Sequence, residues 1–138
     1  PVKPKFPAAA KKQTDEGAVA FVEYYWAALN YAWAKPDAEI LADLGTPQCS
    51  VCDFFQKTAD ELKRKKQHVD APSIEVNSAK LVYRTGTEAQ VITEVSRTKA
   101  STVDQNGGVI RTNSPGSASR VFRLEWDRGW FVIELGEG

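Results

Sequence analysis

The chain has 138 residues, the length of one domain, with 42% hydrophobic and 26% charged residues, which is globular usage rather than disorder. Lys+Arg and Asp+Glu number 18 each, so net charge is zero and the electrostatic footprint of a dedicated nucleic-acid binder is missing. With one His, two Cys and no Met, most catalytic and metal-binding templates lack parts.

The missing Met leads to the expectation that the N-terminus has been cut and that any targeting segment preceded Pro1. Residues 1–13, PVKPKFPAAAKKQ, hold three prolines and four lysines without periodicity. Proline has a fixed φ and no amide donor, so this stretch reads as a flexible tether, and residues 14–138 as a single domain.

A helix is predicted from Thr14, whose hydroxyl offers an N-cap, while Asp15 and Glu16 complement the positive helix end. At 100° per residue, Ala18, Phe21, Val22, Tyr25, Leu29 and Ala32 share one face, and Val19, Trp26 and Trp33 form an adjoining stripe. The polar strip left over is narrow, as in a helix wrapped by a curved sheet. Ala18–Ala34 is too short, and with Glu23 and Asn30 too polar, for a membrane span. Lys35-Pro36 ends the helix.

Asp37 is predicted to cap a short second helix that runs to Leu44 and stops at Gly45. A third helix is expected from Cys52 or Asp53 to Lys66, burying Phe55, Ala59 and Leu62. Lys63–Lys66 then complement its negative end. From Pro72 the period becomes two, predicting strands at Ile74–Tyr83, Glu88–Asp104, Val109–Arg111 and Ser119–Leu135. Asn106-Gly107-Gly108 and Asp127-Arg128-Gly129 supply turns, the second dividing the last stretch into a hairpin. Helices first and antiparallel strands after define an α+β fold, with the helices on one face of the sheet.

The most distinctive chemical element is the pair Cys49 and Cys52, which has three readings. A redox dithiol near a helix start would have a depressed thiol pKa, but its usual βαβ context is missing. Half of a zinc site would need further ligands, and His68 is the sole histidine. A structural disulfide is favoured, closing a small ring and pointing to an oxidising compartment. No cofactor is implied, and neither a metal site nor a catalytic set is assigned. On the first helix, Tyr25, Trp26, Leu29, Asn30 and Trp33 form a candidate pocket, weighed against plain core. Arg97 belongs either inside a concave sheet or at its solvent edge. Glu88, Glu94 and Glu125 lie on polar strand faces, away from where a general base would serve.

GAVAFVEYYWAALNYAWAKPDAEIL followed by C-S-V-C resembles a family of actinobacterial lipoproteins of unknown function. In that family a "GA-x-AF…YYW…LNYA" helix precedes a turn and a C-x-x-C pair; the closing W-D-R-G-W-F-V hairpin is similar to its C-terminal end. Lys35-Pro36-Asp37 departs from the family's Thr-Gly-Asp. The resemblance implies a signal peptide and a lipid-attachment cysteine upstream, with residues 1–13 ending a spacer. It also implies a cone-shaped roll, helices on a bent antiparallel sheet, as in nuclear transport factor 2 and ketosteroid isomerase. The expectation is a non-enzymatic cell-envelope domain, extracellular and tethered to the membrane only through its lipid. It would bind a ligand or an envelope protein through the concave sheet or a cleft, with homodimerisation possible and nucleic acid excluded. The rivals are a small-molecule enzyme of the isomerase or dehydratase type and a C-x-x-C thiol–disulfide exchanger.

Overall fold

The computed structural model describes residues 1–138. Helix α1 (Asp15–Ala34) starts where Thr14 adopts extended backbone and its Oγ1 accepts from the Gly17 amide at 2.9 Å. Its apolar face, Phe21, Val22, Tyr25, Trp26 and Leu29, is buried almost completely. Asp37 then accepts from the Glu39 amide, opening the single turn of α2 (Glu39–Ala42). Beyond it, Leu44 and Thr46 hydrogen-bond to both sides of Val132, stitching this loop to the last strand. Helix α3 (Ser50–Arg64) begins two or three residues before the expected Cys52 or Asp53, because Cys49 is the N-cap and its Sγ accepts from the Cys52 amide. It ends short of Lys66, which takes a positive φ of 56° and turns the chain into a strand.

Seven strands follow: β1 (Gln67–Val69), β2 (Ile74–Thr85), β3 (Glu88–Arg97), β4 (Ser101–Asp104), β5 (Val109–Thr112), β6 (Gly116–Trp126) and β7 (Trp130–Glu137). They make a four-stranded sheet, β2-β3-β6-β7, and a three-stranded sheet, β1-β4-β5, with every pairing between these strands antiparallel. The single strand expected over Glu88–Asp104 is two. Thr98–Ala100 breaks it, with the Thr98 amide donating to Ser73 O and the Asn113 amide to Ala100 O. The chain thereby leaves one sheet and enters the other. β6 starts at Gly116, three residues before the expected Ser119.

The expected α+β roll is observed: helices lie against one face of the main sheet. Inward-facing Ala89, Val91, Thr93 and Val95 of β3, with Phe122 and Leu124 of β6, are almost wholly buried in the core that includes α1. The outward positions carry a polar lattice in which Arg123 of β6 reaches Glu88 of β3 and Glu134 of β7. No helix is long and apolar enough to cross a membrane.

The boundary drawn at residue 14 is too late. Phe6 meets Tyr24 edge-on at 4.9 Å between ring centroids, and Ala9–Lys11 form a 3-10 turn with Ala10 buried. The Trp130 indole N–H donates to Lys12 O at 2.9 Å, tying this segment to β7. Gly17 admits it: a Cβ there would come within 2.7 Å of Ala9 O and closer still to Lys12 O. Three prolines exclude a regular helix but not a docked arm.

Candidate functional site

The inner face of the sheet has a filled end and an open one. At the filled end Trp126 and Trp130 pack edge to face at 5.2 Å, and Phe122 meets Tyr25 and Trp26, each at 5.4 Å. At the other end a cleft of about 420 Å³ lies between α1, α3 and the sheet. Its apolar wall is Trp26, Leu29 and Trp33 from α1 and Phe55 from α3. Its opposite wall includes Ile74, Val95, Ala118 and two cations, Arg97 and Arg120.

Each wall is positioned by identifiable bonds. The Trp33 indole N–H donates to Phe55 O at 3.2 Å, joining the two helices, and their rings stand edge to face at 5.6 Å. The Trp26 indole N–H donates to Thr93 Oγ1, which in turn donates to Arg120 O, so a buried threonine links the aromatic floor to β6. Asn30 is a clamp. Its Oδ1 accepts from the Ser73 and Ile74 amides at 3.0 Å, and its Nδ2 donates to Ile74 O at 2.8 Å. This pins the start of β2, one rim of the cleft, to the helix.

Of the five candidate pocket residues, Trp26, Leu29 and Trp33 line this cleft. Asn30 holds its rim and itself lines a second cleft. Tyr25 lines neither. It is wholly buried, its hydroxyl lacks a hydrogen-bond partner, and burial pushes its phenol well above the ordinary value. Tyr25 is core, because its position on α1 faces Phe122 rather than the open end.

Arg97 meets both readings: it continues the inward series Val91, Thr93, Val95 and lines the cleft, yet at the end of β3 it is exposed to solvent. Its guanidinium lies over Gly116, its register partner on β6, where any Cβ would strike it. Arg120 went unread in the sequence, although the alternation Ala118, Arg120, Phe122, Leu124 places it on the apolar face. Phe55 was legible only as buried helix surface. Ser73, at the rim, is 4% exposed and its hydroxyl has no partner. Glu88 and Glu94 are engaged on the outer face, by Arg123 and by the Ser119 hydroxyl, and Glu125 lines a separate shallow depression.

The second cleft, about 480 Å³, lies between α1 and the His68–Pro72 segment under the N-terminal arm. It brings His68 near Tyr31 and Asp70, but Asp70 Oδ1 is taken by the Ser101 amide at 2.8 Å. Its far wall is Pro1, Val2 and Pro4, of which Val2 is almost fully exposed. No three His, Cys, Asp or Glu side chains gather as a ligand set for a metal ion.

Cys49 and Cys52 are joined by a disulfide with Cα atoms 5.2 Å apart. Both are buried, 1% and 7% exposed, so neither sulfur presents itself to an attacking thiolate.

A family model matches residues 1–135. The chain belongs to DUF6318, a family of unknown function. Among curated proteins, none is similar enough in sequence to count as a relative. Among solved structures, the intermembrane space region of the chloroplast protein ARC6 is similar with a TM-score of 0.65 and 14% identity, over 91% of this chain and 97% of that one. The putative calcium/calmodulin dependent protein kinase II association domain from Xanthomonas campestris gives 0.50 and 19%, over 96% and 90%. A chain named Rd1NTF2_04 with long sheet gives 0.45 and 12%, over 84% and 98%. At such identities the likeness is one of fold alone.

Proposed function

We propose that this DUF6318 domain is a non-enzymatic binding module of the cell envelope. It is exported, held at the outer face of the membrane by a lipid on a cysteine upstream of Pro1, and receives a small molecule in the cleft of Trp26, Trp33 and Phe55. The observation that carries the reading is the composition of that cleft: aromatic on one wall, cationic on the other, with no carboxylate or imidazole among its lining side chains. Its volume falls within the roughly 300–1,000 Å³ of small-molecule sites. Proton abstraction of the isomerase or dehydratase type needs a base within hydrogen-bond reach of its substrate. Here the strand carboxylates lie elsewhere, and Tyr25 is sealed in the core. The disulfide supports export, since such bonds persist in oxidising compartments.

Native mass spectrometry of the full-length product, taken from the envelope of the cell that makes it, tests both halves. The expected result is a diacylglyceryl-modified N-terminal cysteine and a co-purifying small molecule that Ala118→Trp, which plugs the cleft, displaces. An unmodified protein recovered from the cytosol overturns the export reading. A cleft that retains nothing from envelope extracts overturns the binding reading.

A further inference from the structure

The seven arginines of the chain divide by what they hold. Arg64, Arg84, Arg123 and Arg128 each meet a carboxylate. Arg97, Arg111 and Arg120 meet none, and two of these three line the aromatic cleft. Arg120 is half-buried with one hydrogen bond recorded for its guanidinium, to Ser119 O at 2.9 Å, although that group carries five donors. Glu137 stands opposite Arg120 in register on β7 but forms no ion pair with it. Arg97, for its part, lies over Gly116 with no acceptor. Ser73 adds a buried, unpartnered hydroxyl to the same rim.

A guanidinium stays charged at any physiological pH and pairs best with a planar oxyanion, in two parallel hydrogen bonds. An aromatic wall excludes water and so strengthens such a pair. Arg97 and Arg120 sit on adjoining strands, four pairs apart in register, about 13 Å along the sheet. They therefore flank the cleft, with Ala118 and Val95 between them on its floor.

We infer that the ligand of this cleft is an amphipathic carboxylate: an aryl or alkyl body against Trp26, Trp33 and Phe55, its carboxylate on Arg97 or Arg120. The inference rests on the binding reading above and adds the chemical class. Val95 and Ala118 supply the remaining apolar contact, and the size of the cleft suits a body of one or two fused rings.

The test compares 2-naphthoate with its neutral isostere 2-naphthamide, titrated by calorimetry into the oxidised wild-type domain, Arg97→Gln, Arg120→Gln and Ala118→Trp. Arginine Nε–H resonances are followed by NMR. Wild type is expected to prefer the carboxylate by roughly tenfold or more, since a charge-assisted hydrogen bond replaces a neutral one. One of the arginine variants should bring the two ligands level, and its Nε–H signal is the one that moves in wild type. Ala118→Trp should abolish both titrations. Equal binding of acid and amide to wild type, with both arginine signals still, overturns the carboxylate inference and leaves the cleft as a neutral site. A preference that survives both arginine substitutions overturns it as well. Failure of both ligands to bind wild type overturns this inference and counts against the cleft as a small-molecule site.

Discussion

Strand β6 has two fates along eleven residues. Where its inward positions are Phe122, Leu124 and Trp126, the sheet is filled by α1 and closed by Trp130; where they are Ala118 and Arg120, a cleft opens. β3 behaves in the same way, from Ala89 under the filled end to Arg97 at the open one. The inward alternation of both strands never breaks, and the pairing of β3 with β6 is continuous from one end to the other. What differs is side-chain volume and charge at the inward positions. One end is packed for stability and the other is left open.

The sharpest way to break that contrast is to empty the filled end. Phe122→Ala removes a wholly buried ring that touches both Tyr25 and Trp26, and is expected to cost about 3–5 kcal/mol in urea denaturation. Replacing both Cys49 and Cys52 by Ser should cost less, about 2 kcal/mol, because the ring they close is small. A thermal midpoint unchanged by those substitutions would show that the bond adds nothing. Enlarging a small inward residue separates the two ends directly. Ala89→Leu overfills the closed end and should cost about 1–3 kcal/mol, whereas Ala118→Leu enters open space and should stay within about 1 kcal/mol of wild type. Equal penalties by calorimetry would mean that the cleft is not available space. The smallest effect is expected from Tyr25→Phe, which removes a buried hydroxyl without a partner. Stability should hold or rise by up to about 1 kcal/mol, and of the two phenols that burial raises, Tyr24 and Tyr25, an ultraviolet titration at alkaline pH should then show only that of Tyr24.

The filled end was largely readable from sequence, and the reason is local. Thr14, Asp15 and Glu16 announce the start of α1, its apolar period names the residues that face the sheet, and Gly107 and Gly129 mark turns with the positive φ they adopt. The open end was not, because there the local signals conflict. An arginine in an alternating apolar series reads as an edge, yet Arg120 sits inside. The break at Thr98–Ala100 is imposed by pairing with a second sheet, and the three residues of β1, too few to show a period, gain strand character only from β4. The docked arm was hidden for another reason. Its prolines dominate the composition, while the informative residues were Phe6 and the alanines around Ala10.

Asn30 carries a consequence of a mechanical kind. One carboxamide grips three backbone groups of the cleft rim, using its acceptor twice and its donor once. Asp would keep the acceptor and lose the donor, Leu would lose all three bonds, and Gln would overshoot by one methylene. The aperture of the cleft is thus governed by a side chain that is not among those lining it. A library varied at position 30 alone would be a set of differently opened jaws around an unchanged chemical interior.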